Sequence, residues 1–283
     1  MTSLPSPQLT PEVIMAQIKR RYVKVPTARN MLTVEPIAAP TATWIEEKDL
    51  DGKVNFISGK GGFKKIYQNF QKKSISTVPY GVQFDVTRDE FNFQQYVTVD
   101  DKITSAINEF NSFENDYIWN SILSNPDIPT LNVAASWSDE TAAKPLKDLQ
   151  QAKMAIKAAT KKRFSPTTVI VPSAVYSELL DFDFVTNALY NNRDVVATGA
   201  IPALNGMTII ENDDVDPEGV GQALVCIPGQ LGKLMETYPF TVVSSGWEAN
   251  QNPMIHSTYF MFAQTAAAIT HPETAVLLEG LLD

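Results

Sequence analysis

Apolar residues recur with the spacing of an α-helix in two long segments of the chain. Between residues 100 and 125 they fall at three- and four-residue steps, which predicts a helix of roughly 24 residues and about 36 Å. The stripe consists of Ile103, Ala106, Ile107, Phe110, Phe113 and Tyr117. Asp100 is a good capping residue for this helix. A second apolar stripe predicts another helix over residues 144–163.

The N-terminal region combines a short helix with an extended segment. A helix is predicted over residues 11–21, because Thr10 can cap it and a proline fits its first position. Three prolines then follow at positions 26, 36 and 40. Since proline breaks helices and restricts the residue before it, this spacing predicts an extended arm over residues 24–43.

Residues 44–86 have the pattern of a long β excursion. Asp51-Gly52 stands between two runs of β-forming residues, 43–45 and 54–57, and is a strong hairpin signal. Residues 80–86 then alternate apolar and polar side chains like a half-buried strand. The excursion contains few apolar residues that it could bury on its own account.

The C-terminal half predicts one α/β unit followed by strands. A buried strand over residues 167–171 precedes a short helix over residues 173–180. Further strands are predicted at residues 207–211, 223–227 and 240–244, with two or three more within residues 255–278. The whole pattern indicates an α+β protein.

Length and composition are those of a globular protein. The 283 residues can bury a large core, as one big domain or as two ordinary ones. The start of the chain lacks a basic region followed by an apolar run, so no secretory signal is expected. No apolar run approaches the roughly 18 residues of a membrane-spanning helix. The single cysteine, Cys226, excludes an internal disulfide.

Charge is distributed unevenly along the chain. Residues 52–84 contain six lysines and no acid, whereas the net charge of the whole chain is −9, so the other residues carry −15. Within this window, residues 59–73 read GKGGFKKIYQNFQKK. The window could contact an acidic surface of another subunit, could bind nucleic acid with its aromatic residues as stacking platforms, or could be a solvated loop. The first interpretation is favoured, because the polar face of the helix over residues 100–125 carries four acids against Lys102 alone.

Residues that catalysis or metal binding would need are scarce. The two histidines, His256 and His271, have no oriented partner implied by the sequence, and Cys226 lies in an apolar strand as a buried thiol would. The glycine-rich segment 59–62 lacks the spacing of a P-loop. The acid-rich segment 211–219 could hold calcium, but it does not match the EF-hand spacing and is interpreted as a solvated loop. No catalytic residue, cofactor or metal is predicted, and the protein is not expected to be an enzyme.

The order of these elements resembles the major capsid proteins of tailed viruses, of bacteria or archaea, which have the Hong Kong 97-type fold. Local phrases add to the resemblance: Gly62-Phe63-Lys64-Lys65-Ile66-Tyr67, Glu114-Asn115-Asp116-Tyr117, and residues 199–207 followed by Ile209-Ile210. The resemblance implies an N-terminal arm (residues 1–43), an E-loop β-hairpin (44–86), a P domain (87–143) with a long spine helix (100–125), an A domain (144–240), and a β tail that returns to the P domain (241–283).

The resemblance also implies a function. Hexamers and pentamers of the protein would form an icosahedral shell around a double-stranded DNA genome, in a virion assembled in the host cytoplasm. The expected partners are further copies of the chain, the packaged DNA, a portal and a separate scaffolding protein, with a decoration protein left open and no membrane. No covalent cross-link between subunits is expected, because the residues that form one in the founding member have no match here.

Site residues follow from the same resemblance. The E-loop would lie across a neighbouring subunit through Lys60, Lys64, Lys65, Tyr67, Phe70, Lys72 and Lys73. Its lysines would meet the acids of the neighbour's spine helix, Asp101, Glu109, Glu114 and Asp116. The arm would face the genome through weak phosphate contacts of Lys19, Arg20, Arg21, Lys24 and Arg29, although subunit contacts could use the same charges.

Two alternatives stay open at the level of the sequence. An encapsulin-like nanocompartment would share the fold and enclose a cargo enzyme instead of a genome. A soluble α/β enzyme or binding protein would belong to another class, and the scarcity of candidate sites counts against it.

Overall fold

The computed structural model describes residues 10–22, 26–47, 70–93, 95–139, 141–182, 185, 201, 203–245 and 256–282. The helices are α1 (Pro11–Arg21), α2 (Pro26–Met31), α3 (Arg88–Asn92), α4 (Tyr96–Leu123), α5 (Pro145–Ala159) and α6 (Ser173–Asp181), with two single 3₁₀ turns at Asp213–Val215 and Pro272–Thr274. The strands are β1 (Leu32–Pro36), β2 (Thr41–Glu47), β3 (Phe70–Ser76), β4 (Val78–Thr87), β5 (Thr130–Asn132), β6 (Thr168–Val171), β7 (Thr208–Glu211), β8 (Ala223–Cys226), β9 (Gly232–Ser244), β10 (His256–Ile269) and β11 (Ala275–Glu279).

A four-stranded sheet of order β1-β9-β10-β4 forms one half of the described structure. β10 is antiparallel to both β9 and β4, whereas β1 runs parallel to β9. Helices α1 and α4 cover one face of this sheet, with Ile14, Ile18, Ile103 and Phe110 in the shared core. Gly81 lies opposite Phe262 in this sheet, where an added Cβ would sit 2.5 Å from the Met261 carbonyl oxygen.

A five-stranded sheet of order β5-β11-β8-β6-β7 forms the other half. Alternate residues of its strands belong to two separate cores, because successive side chains in a strand point to opposite faces. Val169 and Val171 of β6 pack in the core of α5 and α6, while Ile170 packs in the core that contains Ala28 of α2 and Trp119 of α4.

Helix α4 belongs to both halves. Its N-terminal part packs on the four-stranded sheet, and its last turns place Ile118, Trp119 and Ile122 against the five-stranded sheet. The helix has 28 residues, which corresponds to about 42 Å. It begins four residues before the predicted cap, Asp100, which lies inside the helix and pairs with Arg21 instead. Among the described helices, none is both long and apolar enough to cross a bilayer.

One prediction for the N-terminal half is wrong. Residues 24–43 are not simply extended, because α2 begins at Pro26, where the fixed backbone angle of proline fits the first turn of a helix. β2 pairs with β3, so that Trp44 lies opposite Lys73. Residues 54–57, the partner strand that the sequence predicts, lie outside the described residues. The predicted Asp51-Gly52 turn lies outside the described residues, and the hairpin of β2 and β3 is the described part of the expected E-loop.

The predicted domain boundaries also need correction. The strand predicted over residues 80–86 is β4, which belongs to the four-stranded sheet and not to the β2–β3 hairpin. β9 runs through the expected boundary at residue 240. The β tail divides between the two sheets, with β10 in the four-stranded sheet and β11 between β5 and β8. The strand predicted over residues 240–244 is the end of β9, which begins eight residues earlier at Gly232. The helices predicted over residues 11–21, 144–163 and 173–180 and the strands predicted at residues 167–171, 207–211 and 223–227 are present within a few residues of their expected bounds.

Candidate assembly surfaces

The N-terminal segment is attached to the rest of the chain through α1. The Thr10 side chain accepts a hydrogen bond from the Val13 backbone, which caps the helix as predicted. Ile14 and Ile18 are fully buried in the core shared with α4 and the four-stranded sheet. At the end of the helix, Arg21 pairs with Asp100 at 2.5 Å. This segment is therefore part of the folded unit, and two exposed cations of α1, Lys19 and Arg20, remain on its surface.

A buried charge cluster then joins α2 to α4 and β9. Arg29 is only 6% exposed, and its guanidinium lies 2.8 Å from the Glu114 carboxylate and 3.1 Å from that of Glu236. The Tyr80 hydroxyl donates to Glu114 at 2.8 Å, and the Tyr22 hydroxyl donates to it at 3.3 Å. One buried cation therefore faces two carboxylates, and the two tyrosine hydroxyls supply the remaining donors to Glu114.

The cluster changes the ionisation of its members. Burial, followed by the nearby charge of Glu114, raises the pKa of both Tyr22 and Tyr80 far above the usual value of a tyrosine. For Arg29, burial lowers the pKa, but the hydrogen bond and charge of Glu114 outweigh it, so the guanidinium pKa is raised. All three groups thus keep their protons throughout the neutral range, and the cluster stays intact there.

Two of the predicted site residues are corrected by this cluster. Glu114 is buried within its own chain and is not part of an acidic surface that could receive a neighbour's lysines. Arg29 is buried as well and cannot reach a genome. Periodicity could have identified Glu114, because it lies four residues after Phe110 and seven after Ile107 in the apolar stripe of the helix. Lys24 lies outside the described residues.

The other three acids of α4 do form an exposed face. Asp101, Glu109 and Asp116 follow one another by eight and seven residues, which places them on the same side of the helix. They are exposed, and none of the ion pairs between described residues involves them. The single cation of this face, Lys102, binds Glu90 at 2.8 Å. We call Asp101, Glu109 and Asp116 the acidic strip.

A groove of about 560 Å³ runs beside the acidic strip, between α4 and the outer strand β4. Asp101 and Glu109 line it on the helix side, and Val82 and Phe84 line it on the strand side. Lys102 lines it as well, and its ammonium group donates to the Asp85 backbone carbonyl of β4. Among the described strands, β4 pairs only with β10 and is therefore an edge strand. The groove combines an edge strand, apolar side chains and two acids beside one lysine.

Of the expected E-loop contacts, only two lysine side chains lie in the described part of the hairpin. Lys72 is exposed, whereas Lys73 is half-buried and lies 3.6 Å from Asp127 of its own chain. Phe70 begins β3. Lys60, Lys64, Lys65 and Tyr67 lie outside the described residues. The base of the hairpin packs Ala42, Trp44 and Ile75 against Met235, Ala266 and Ala268 of the four-stranded sheet.

Three of the places considered for catalysis or metal binding lie in the described fold: Cys226, His271 and the acid-rich segment 211–219. The side chain of His256 lies outside the described part. Cys226 is buried, and burial raises its thiol pKa to about 12, so the thiol is inert. His271 pairs with Glu273. In the acid-rich segment 211–219, Asp216 accepts hydrogen bonds from the backbone N–H groups of residues 220–222. Asp213 accepts one hydrogen bond from the Ser173 backbone and one from the Ser173 hydroxyl. Within the described residues, no group of three or more potential metal ligands comes together.

Comparison with known proteins assigns the family. A family model described as "Phage capsid protein" matches residues 71–252, which is more than half of the chain. The chain belongs to this family of phage capsid proteins. The matched residues include α4, α5, the strands β4 and β9 of the four-stranded sheet, and all strands of the five-stranded sheet except β11. A capsid protein is a structural component of the virion, as the sequence predicts. A search of curated proteins found no match.

Solved structures with the same fold cover nearly the whole capsid protein. A virus-like particle protein from Pyrococcus furiosus has a TM-score of 0.62 at 17% identity, over 95% of this chain and 97% of that one. The capsid protein of cyanophage P-SCSP1u has a TM-score of 0.67 at 10% identity, over 99% of this chain and 92% of that one. The protein of the bacteriophage PhiM1 mature capsid has a TM-score of 0.63 at 13% sequence identity, over 89% of this chain and 86% of that one. The predicted α+β fold of the Hong Kong 97 type is confirmed.

Replacing Arg29 by methionine is expected to destabilise the capsid protein strongly. The change leaves Glu114 and Glu236 buried without a counter-charge, and breaking a buried pair in this way costs about 3–5 kcal/mol. Urea unfolding of the unassembled subunit measures the loss. Lys233→Met is the matched control, because Lys233 and Glu35 form a half-exposed pair that is worth about 0–1 kcal/mol. Equal losses in the two variants would contradict the role given to Arg29.

Replacing Tyr80 by phenylalanine is expected to make the alkaline loss of stability shallower. Because the folded-state pKa of Tyr80 is raised, its contribution to stability is complete below about pH 10, the unfolded value, and is lost as the pH rises further. The phenylalanine variant lacks this loss. Free energies of unfolding measured between pH 9 and 11 test it, with Tyr238→Phe as the exposed control. A slope unchanged by Tyr80→Phe would show that this hydroxyl is not protected.

Proposed function

We propose that this capsid protein assembles into hexamers and pentamers of an icosahedral shell that encloses a double-stranded DNA genome. The match of the phage capsid family over residues 71–252 is the observation that carries the proposal. Assembly takes place in the host cytoplasm, with a portal and a separate scaffolding protein, and a decoration protein can bind the finished shell. Within this proposal the exposed cations of the arm that face the genome are Lys19 and Arg20, since Arg29 is buried.

The E-loop makes the contact between neighbouring subunits in this proposal. Two lysines of the window 52–84, Lys72 and Lys73, lie on β3, and the other four precede β3 in the sequence. The acidic strip offers exposed carboxylates beside a groove at the edge strand β4. The lysines of one subunit lie along the acidic strip of the next. A single exposed pair contributes little, about 0–1 kcal/mol, but the contact recurs at every subunit of a shell and can therefore determine register.

An encapsulin-like compartment is the second candidate, and one observation favours it. The structure of the Pyrococcus furiosus protein is named a virus-like particle, and its likeness covers 95% of this chain. The two candidates share their subunit contacts and differ in what the shell contains, which makes the contents the deciding measurement.

Purified particles are expected to be closed icosahedral shells that protect double-stranded DNA from nuclease. Electron microscopy of the recombinant protein, with its scaffolding protein where required, tests for shells built from five- and six-membered rings. Nuclease treatment of particles isolated from infected cells, followed by extraction, tests for DNA. Shells that contain a protein cargo and no DNA would favour the compartment. A chain that stays monomeric at high concentration and with its scaffold would contradict both candidates.

Replacing Lys64, Lys65, Lys72 and Lys73 by glutamate is expected to prevent shell formation and leave the subunit folded. The change would place like charges against the acidic strip of the neighbouring subunit, which is unfavourable. Size-exclusion chromatography and circular dichroism measure assembly and folding separately. The matched control replaces the same four residues by arginine, which retains the charge. Normal shells from the glutamate variant would exclude this contact.

A further inference from the structure

Charge is segregated within the region that contains the five-stranded sheet. Residues 141–163 carry seven cations, and Asp148 is their single acid. Residues 164–218 carry nine acids, and Arg193 is their single cation. Adjacent segments thus have net charges of +6 and −8, a separation that the acidic average of the whole chain conceals.

The positive charge lies on the solvent side of α5. Lys144, Lys147 and Lys157 are exposed, whereas Asp148 is 7% exposed and accepts a hydrogen bond from the Trp137 indole at 3.1 Å. Two apolar side chains stand among these lysines, since Leu146 is 42% and Met154 59% exposed. We call Lys144, Leu146, Lys147, Met154 and Lys157 the basic face.

The negative charge lies on the turn that follows β7. Glu211, Asp213 and Glu218 are exposed there, next to Val220, which is 49% exposed. We call these four residues the acidic turn. Its conformation is fixed internally, because the buried Asp216 carboxylate accepts hydrogen bonds from the backbone of residues 220–222. Asp213 is oriented by hydrogen bonds from the Ser173 backbone and hydroxyl, at 2.7 and 2.6 Å.

These two surfaces belong to different parts of the same sheet. α5 packs against β11 and β8, in the core that contains Val225 and Val276. The turn follows β7 at the edge of the sheet and inserts Val215 into the other core, with Ile170 and Leu224. A subunit therefore presents its positive and its negative charge on two separate surfaces. This is the arrangement that a head-to-tail contact between identical subunits requires, and such contacts form closed rings when the rotation between subunits closes.

We propose that the basic face of one subunit docks on the acidic turn of the next subunit, head to tail, around each ring of the shell. This inference rests on the proposed function and adds to it a second contact, distinct from that of the E-loop. The three lysines face Glu211, Asp213 and Glu218, and Leu146 and Met154 pack near Val220. Opposite charges on the two surfaces guide the encounter and exclude the wrong orientation.

A second copy of the chain fits the basic face better than a nucleic acid does. A phosphate backbone satisfies lysines but offers no counterpart for two exposed apolar side chains between them. The acidic turn supplies both, since carboxylates surround an exposed valine. Apolar residues at the centre with charges around them are the usual composition of a protein interface.

The first test reverses the basic face. Lys147→Glu with Lys157→Glu is expected to raise the protein concentration needed for ring or shell formation by about tenfold or more, because like charges then meet across the contact. Light scattering at fixed salt measures that concentration, and circular dichroism confirms folding. Arg88→Glu with Lys233→Glu is the matched control, since it reverses two charges at the protein surface that belong to neither docking surface.

The second test exchanges the charges of the two surfaces. Glu211→Lys with Glu218→Lys is expected to impair assembly alone and to restore it when combined with the lysine reversals in one chain. An equimolar mixture of the two singly reversed proteins should form six-membered rings, in which the variants alternate, in preference to five-membered rings.

The outcomes separate this inference from the proposed function. Wild-type shells together with normal assembly of both reversed variants would overturn the head-to-tail contact and leave the proposed function intact. Normal shells of the lysine variant that hold less DNA would overturn it as well and assign the basic face to the genome. Failure of the wild-type protein to form shells with its scaffold would instead contradict the proposed function.

Discussion

The ion pairs of Arg29 with Glu114 and Glu236 connect three parts of the chain that are far apart in sequence. They join the short helix α2 to the middle of α4 and to β9, inside a region without solvent. A buried cation with carboxylates needs further hydrogen bonds to offset desolvation, and the Tyr22 and Tyr80 hydroxyls supply two of them to Glu114. The cluster therefore requires α1, α2, α4 and the four-stranded sheet to be in place together. It makes the N-terminal segment an integral part of the fold.

With that segment fixed, the surfaces available for assembly are few. The polar side of α4 has lost one of its acids to the interior, so its remaining charge lies in the acidic strip beside the edge of β4. The β2–β3 hairpin rests on the four-stranded sheet at its base only. The region of the five-stranded sheet contributes one positive and one negative surface. In the proposed contacts each of these surfaces has a different partner, so that one shell would use all of them at the same time.

Local patterns in the sequence predicted most of the helices and strands and the α+β class. Periodicity located α4 and α5, and the order of elements was sufficient for the Hong Kong 97-type fold. The errors concern long-range pairing. β2 pairs with β3 across more than twenty residues, and nothing near Trp44 identifies Lys73 as its neighbour. Arg29 appeared to be a surface cation because its partner Glu114 is 85 residues away. The spacing of Glu114 from Ile107 and Phe110 places it on the apolar side of the helix, and a prediction that groups all four acids on one polar face overlooks this spacing.

The chain passes between the two sheets through short connections. Residues 227–231 join β8 to β9, residues 270–274 join β10 to β11, and the His271 backbone donates to the Leu231 carbonyl where these connections meet. Helix α4 spans the same junction with its side chains packed in both cores. Within the described residues, two short crossings and a continuous helix connect the halves, and we expect the two sheets to move together as one body. The curvature of any closed assembly must then come from the angles at which such bodies meet, and a few side chains at their margins can decide its diameter.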